Sequence, residues 1–192
     1  MDAKEWDTRY AAAERVWSVE PNMWVVEVVD DLPPGRALDV ACGEGRNAVW
    51  LAERGWQVTA VDFSAVALAR GRTASDAVEW IEADVVAWAP PPGAYDLVLV
   101  VYLHLTPGDR RAVLGRAAAS LAPGGTLAVI GHDRRNLAEG VGGPQVPEIL
   151  LDPAEVATEL GSLAVGRAET VTRPTPDGTA LDTLVVARRP RT

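Results

Sequence analysis

The chain has 192 residues, of which 48% are hydrophobic and 23% charged, and its formal net charge at pH 7 is −9. This balance is typical of one globular domain and excludes a mainly disordered chain. Nucleic acids are bound through Lys and Arg, so the acidic charge argues against a nucleic-acid partner. Cys42 is the only cysteine, which excludes an intrachain disulfide. The charged N-terminus lacks an apolar signal core and no apolar run could cross a bilayer, so we expect a cytoplasmic protein with no membrane partner and no bound metal.

Strand and helix patterns alternate along the chain. Two helical patterns, at 6–18 and 22–31, precede the first strand. Apolar runs predict strands at 37–42, 57–62, 78–84, 95–102 and 126–131, and the segments between and after them predict helices at 47–54, 65–72, 107–121 and 153–160. Such continuous apolar runs fit strands covered on both faces, as in a parallel sheet.

The end of the chain has a different pattern. Strands predicted at 164–173 and 179–188 are joined by a Pro- and Gly-containing turn, which indicates a hairpin. The whole order predicts a doubly wound α/β fold with helices on both faces of a mostly parallel sheet.

A glycine loop follows the first core strand. The run Gly43-Glu44-Gly45-Arg46-Asn47-Ala48 fits the G-x-G-x-x-G/A nucleotide fingerprint at the start of a helix. Glycines at these places can also be simple turn chemistry. Asp39 and Glu44 flank the turn, and both would repel a pyrophosphate. They would instead attract the ammonium of S-adenosylmethionine, so the acidic loop favours that methyl donor over NAD.

Acidic residues also end the next two strands. Asp62 is suited to binding both ribose hydroxyls, although a helix cap is the structural alternative. Phe63 can lie against the adenine or in the core. Asp84 can accept the adenine amino group, with Val85 offering backbone groups and apolar cover, and an ordinary loop aspartate is the alternative.

These motifs come in an order that resembles the class I S-adenosylmethionine-dependent methyltransferases. The resemblance rests on segments 38–45, 61–62, 83–84, 95–98 and 121–125 and covers essentially the whole chain. With the front segment 6–10 and Gly45-Arg46-Asn47, the chain looks most like the tellurite-resistance and thiopurine methyltransferase branch. Ala41 departs from the family pattern, because it stands where the family usually has its first glycine.

The resemblance implies a Rossmann-like sheet of seven strands, the last antiparallel, in a single domain of residues 1–192. Residues 1–31 would be a helical cap over the cofactor and residues 32–192 the sheet core. Asp39, Gly43 and Gly45 would hold the methionine end, Asp62 the ribose and Asp84 the adenine. The expected cofactor contacts also include Trp6, Arg9, Tyr10, Ala41, Arg46, Asn47, Phe63, Val85 and Val100.

The acceptor is expected to be a small molecule with a thiol, chalcogen or hydroxyl group. His104 and His132, the only histidines, follow the fourth and fifth core strands, where open α/β folds bind ligands. Both are candidate catalytic residues, with structural hydrogen bonding as the alternative. The glycine-rich segment 136–147 is a candidate lid or pocket wall, or an ordinary surface loop.

Two other functions fit parts of this pattern. A nicotinamide-dependent oxidoreductase shares the glycine pattern, but it usually needs a Tyr/Lys pair or a second domain, and Lys4 is the only lysine. A non-catalytic S-adenosylmethionine-binding protein would share the whole cofactor site. The sequence leaves the oligomeric state and the acceptor undetermined.

Overall fold

A computed structural model describes residues 3–13, 16 and 18–191. A seven-stranded sheet runs through the domain in the order β3-β2-β1-β4-β5-β7-β6. The strands are Arg36–Val40 (β1), Gln57–Asp62 (β2), Val78–Glu82 (β3), Tyr95–Val101 (β4), Leu121–His132 (β5), Ala164–Thr175 (β6) and Gly178–Arg188 (β7). The helices are Ala3–Ala11 (α1), Met23–Val29 (α2), Arg46–Glu53 (α3), Ala65–Ala74 (α4), Pro107–Ser120 (α5), Asn136–Glu139 (α6) and Pro153–Glu159 (α7).

The strand directions confirm the predicted fold class. Strands β1 to β5 pair in parallel, and β7 is antiparallel to both of its neighbours, β5 and β6. Because β7 runs in the opposite direction, its first residues lie at the edge where the parallel strands end. That edge is where open α/β sheets bind ligands.

Alternate residues of the central strands enter two separate cores. On one face, Leu38 and Val98 pack with Val113 and Leu114 of α5. On the other face, Leu97 and Leu99 pack with Leu51 of α3 and with α2. This alternation follows from the two-residue period of a strand and explains why both faces are apolar.

Several predicted boundaries need correction. The helix predicted over 6–18 begins at Ala3 and ends at Ala11, and residues 14, 15 and 17 of that prediction lie outside the described residues. Asn22 is the N-cap of α2, with its side chain accepting from the Trp24 and Val25 N–H groups. Segment 136–147, expected as a loop, contains α6 and the start of a 3-10 turn at Pro147–Ile149.

Candidate active site

The turn after β1 has a backbone that only small residues adopt easily. Gly43 and Gly45 have φ values of 56° and 81°, and Ala41 has a φ of 58°. A Cβ on Gly45 would also collide with the Trp80 ring. Glycine at 45 is therefore required by both backbone conformation and space. Ala41, the departure from the family pattern, accepts its strained conformation with a methyl side chain.

Asp39 is a buried acidic residue beside this turn. Its side chain lies at the end of β1, and its Oδ2 atom is buried without a hydrogen-bond partner. Burial raises the pKa of the carboxyl from 3.8 to about 7, partly offset by the Arg46 guanidinium. An unpartnered buried acceptor is costly and rare in a folded protein. A ligand ammonium beside Oδ2 would supply the missing donor, so the residues present fit S-adenosylmethionine here.

Asp62 is buried at the end of β2 and supports the glycine turn. Its Oδ2 accepts from the Gly43 N–H at 2.8 Å, and its Oδ1 accepts from the Ser64 N–H at 2.9 Å. Burial raises the pKa of this carboxyl. Ser64 is the N-cap of α4. A carboxylate has about four lone-pair sites, so two remain for ribose hydroxyls.

The residues expected around the adenine follow β3. Asp84 is exposed, and its Oδ1 accepts from the Val86 N–H at 2.8 Å. Val85 is buried, and its carbonyl accepts from Arg116 at 3.0 Å. Phe63 is half-buried. Val100 is 4% exposed inside β4 and packs in the α5-side core, so its side chain has a packing role in this structure.

Glu44 does not have the role that its charge suggested. Its Oε1 accepts from Arg70 at 2.7 Å, and its Oε2 accepts from the Val16 N–H at 3.1 Å. Arg70 also donates to the carbonyls of Tyr10 and Ala13. The carboxylate is therefore neutralised by Arg70, and the expectation that it attracts the donor ammonium is wrong. Glu44 instead joins the glycine turn to the N-terminal segment.

The N-terminal helix packs on α4 beside the end of β2. The rings of Trp6 and Tyr10 lie 5.6 Å apart, and the Arg9 guanidinium lies 4.9 Å from the Trp6 ring. Asp7, which the sequence analysis did not select, accepts from the Ser64 hydroxyl at 2.5 Å. Asp7 therefore joins α1 to Ser64, whose N–H group donates to Asp62.

Arg46 and Asn47 fix the turn from the side of α2. Arg46 donates to the Ser18 hydroxyl at 2.9 Å. The Asn47 side chain accepts from the Asn22 N–H, also at 2.9 Å. Asn22 in turn lies 3.5 Å from the Tyr102 hydroxyl, which links this side of the turn to the end of β4.

A buried polar cluster lies at the ends of β4, β5 and β7. Asp182 is fully buried and accepts from the Tyr102 hydroxyl and from Arg173 Nε, each at 2.7 Å. The Arg173 guanidinium lies 5.5 Å from the Tyr102 ring. Tyr102 has a φ of 56°, which is a strained value for a bulky residue. Strained backbone conformations of this kind cluster at functional sites. Burial and the Asp182 charge raise the pKa of Tyr102.

The two histidines lie together in this cluster with different environments. Their rings stack with centroids 5.4 Å apart. His104 Nε2 accepts from the His132 N–H at 3.1 Å, and burial lowers the pKa of His104 to about 4. An occupied lone pair and weak basicity argue against His104 as a base. His132 Nδ1 lies 3.5 Å from Asp182 Oδ1, and burial lowers the pKa of His132 while Asp182 opposes that shift.

Asp182 and Arg173 were missed by the sequence analysis. They lie within the two strands of the terminal hairpin, where an isolated charge looks like a solvent-facing residue. The one available signal was the antiparallel direction of β7, which places Asp182 opposite His132 in register. Among the described residues, no group of three or more His, Cys, Asp or Glu side chains could hold a metal ion. In the same residues, no helix has the length and apolar character needed to cross a membrane.

Comparisons with known proteins agree with this fold and turn. Residues 37–125 match a family model described as a methyltransferase domain. Trans-aconitate 2-methyltransferase from Paracidovorax citrulli is 40% identical over 101 residues, which cover 51% of this chain and 39% of that protein. The chain therefore spans about two fifths of the length of this relative.

Two solved structures share the fold. Burkholderia thailandensis 1,6-didemethyltoxoflavin-N1-methyltransferase, with bound 1,6-didemethyltoxoflavin and S-adenosylhomocysteine, has a TM-score of 0.74 at 19% identity, covering 98% of this chain and 87% of that one. TehB from Haemophilus influenzae has a TM-score of 0.73 at 16% identity, covering 88% and 62%.

The solved structures show a shared fold, and the curated relative that is similar to this chain is a methyltransferase. Within the chain, residues 37–125 are the part that matches the methyltransferase domain.

Proposed function

We propose that this protein transfers the methyl group of S-adenosylmethionine to a small-molecule acceptor. The main support is that the Oδ2 atom of Asp39 is buried without a hydrogen-bond partner among the described residues, beside a strained glycine turn. An anionic pyrophosphate would be repelled at this place, whereas an ammonium group would be bound.

The proposed cofactor site extends along the ends of three strands. Asp39, Gly43 and Gly45 would hold the methionine end, Asp62 the ribose, and Asp84 with Val85 the adenine. Asp62 has spare lone pairs after its two backbone bonds, and no N–H bond is found for Val85 within the described part of the chain. Residues 1–31 would form the cap, supported by the contacts of Asp7 and Arg70.

When bound, S-adenosylmethionine supplies an electrophilic methyl group on a sulfonium. The chain's own task is to hold the acceptor in line with that methyl and to exclude water. Tyr102, His132, Arg173 and Asp182 form the polar wall nearest the turn, and segment 136–147 would cover it. Gly143 of that segment lies directly against the His132 ring, since a Cβ there would approach the ring to 2.9 Å.

A binding panel tests the proposal. S-adenosylmethionine and S-adenosylhomocysteine should each raise the melting temperature and give a calorimetric binding signal, while NAD should give neither. Release of S-adenosylhomocysteine with thiol, phenol and carboxylate acceptors then separates an enzyme from a protein that only binds the cofactor. Tight binding of NAD without binding of S-adenosylmethionine would refute the proposal.

We also propose that the protein belongs to the branch of tellurite-resistance and thiopurine methyltransferases. Its support is the Gly45-Arg46-Asn47 run, the N-terminal helix against α4, and a fold shared with TehB. Turnover of tellurite or of an aromatic thiol would favour this branch, and turnover of trans-aconitate alone would count against it.

A further inference from the structure

The geometry points to His132 as a general base whose proton-accepting atom is Nε2, with Asp182 as the residue that positions its ring. We infer that the acceptor attacks through a group that still carries its proton at neutral pH, of the phenol or enol hydroxyl class. This inference rests on the proposed function and specifies the acceptor side of the same site.

The two nitrogens of His132 face different surroundings. Nδ1 is buried, has no hydrogen-bond partner among the described residues, and lies 3.5 Å from Asp182 Oδ1. No hydrogen bond to Nε2 is found among the described residues, and the side chain keeps 16% of its surface exposed. A histidine with Nδ1 towards a carboxylate and Nε2 open has the arrangement needed to remove a proton from a ligand.

Three neighbouring residues and Asp182 hold the ring in this orientation and leave Nε2 open. His104 stacks on one side at an interplanar angle of 20°, and the Gly143 backbone lies close to the ring. The Tyr102 ring is 5.0 Å away, and Asp182 lies beneath on β7. A ring restrained in this way loses little entropy when it accepts a proton from a bound ligand.

Arg173 and Tyr102 determine the charge that His132 faces. Both donate hydrogen bonds to the fully buried carboxyl group of Asp182. Asp182 favours the protonated form of His132, while Arg173 and burial oppose it. His104, which faces the ring from the loop after β4, is neutral near pH 7. The balance leaves His132 neutral and able to take a proton.

His132 also stands at a suitable distance from the glycine turn. Strand β4 separates β5 from β1, so the two strand ends are about 10 Å apart. An acceptor of one ring, placed beside the methionine end of the cofactor, would lie within that distance of both Asp39 and His132. A carboxylate acceptor has already lost its proton at neutral pH, so it would not need His132 as a base.

The O–H bond of the acceptor breaks as its proton forms a bond to His132 Nε2. The freed electron pair on oxygen forms the O–CH₃ bond. The C–S bond breaks at the same time, and the sulfonium sulfur keeps the electron pair of that C–S bond. The imidazolium is stabilised by Asp182 and returns its proton to water after the products leave.

Nitrogen NMR of histidine-labelled protein tests the inference without a known acceptor. The chain has only two histidines, so the resonances lost in His132→Gln identify His132. With S-adenosylhomocysteine bound, neutral His132 should carry its proton on Nδ1, and Asp182→Asn should lower the His132 pKa by about one unit. Asp133→Asn is the matched control, because Asp133 is equally buried but bonds to Thr170 and Thr183.

The opposite tautomer, or an unchanged His132 pKa in Asp182→Asn, would overturn the inference. If Asp182→Asn does not fold, the wild-type tautomer alone decides. With substituted phenols as probes, His132→Gln should lower kcat about 100-fold and Asp182→Asn should shift the acidic limb of the pH profile. Turnover of trans-aconitate but of no phenol would also overturn it. Loss of S-adenosylhomocysteine binding, by contrast, would count against the proposed function.

Discussion

Arg70 of α4 donates a hydrogen bond of 2.7 Å to Glu44 in the glycine turn, and the Glu44 side chain is only 3% exposed. The same guanidinium holds the carbonyls of Tyr10 and Ala13. One side chain therefore connects the turn to the end of α1. We expect this contact to couple the proposed cap to the proposed cofactor site.

Arg70→Gln should loosen the cap and weaken cofactor binding. Glu44 would keep a buried charge with fewer donors, at a cost of about 1–3 kcal/mol in unfolding free energy. Calorimetry should give a higher Kd for S-adenosylhomocysteine, and denaturant titration should give a lower midpoint. Arg72→Gln, on the same helix but exposed, is the matched control and should change neither value. Equal effects of the two substitutions would contradict the prediction.

Asp39→Asn should stabilise the free protein at pH 8 and abolish cofactor binding. The pKa of Asp39 is about 7 in the fold and 3.8 as an ordinary carboxyl, so the native state holds more protons between these values. Asp39 therefore disfavours folding increasingly as pH rises from about 4 to 7, by about 1.4 kcal/mol per pKa unit at most. Asparagine removes this penalty. Thermal melts at pH 4.5 and 8 should show the gain mainly at pH 8.

Binding of S-adenosylmethionine should itself depend on the ionisation of Asp39. An ammonium prefers the ionised carboxylate, so affinity should fall by about tenfold per pH unit once the pH is well below 7. Calorimetry at pH 5, 6 and 8 measures the slope, and proton release at pH 6 should accompany binding. Undiminished affinity in Asp39→Asn would remove the basis of the proposed function.

Gly45→Ala should be more destabilising than Gly55→Ala. Both glycines have φ values above 80°, so alanine is strained by roughly 1 kcal/mol at either position. Only at Gly45 would the new methyl also meet the Trp80 ring, whereas Gly55 has open space. The difference between the two unfolding free energies isolates the collision. Equal losses would show that Trp80 moves aside freely.

Gly143→Ala should lower the rate of methyl transfer while Gly142→Ala leaves it near the wild-type value. Both residues have positive φ, at 75° and 68°, so the backbone strain is matched. A Cβ on Gly143 would meet the His132 ring, and one on Gly142 would meet nothing within 4 Å. Kinetics with a phenol probe should show the loss in kcat. Identical rates for the two variants would indicate that the loop does not hold the ring.

The sequence predicted the fold better than the acceptor side of the site. Apolar runs and turn residues identified all seven strands, because the period of a strand and the chemistry of a turn are local features of the sequence. Asp39 was selected from charge beside a glycine turn, and its burial is consistent with that choice. Glu44 was misassigned because its partner Arg70 is 26 residues away and on another helix. The position of Asp182 beside His132 depends on β7 lying between β5 and β6, and no local sequence pattern encodes that strand order.

The contact between Arg173 and Asp182 should be sensitive to the insertion of residues into the hairpin of β6 and β7. Arg173 lies on one arm and Asp182 on the other, and the turn between the arms covers only residues 176 and 177. Adding a single residue to β7 beside Asp182 would rotate the carboxylate to the opposite face of the sheet and bring Thr183 or Leu181 into its place, and an addition to β6 would do the same to Arg173. The proposed proton transfer at His132 would thus depend on the number of residues in this hairpin.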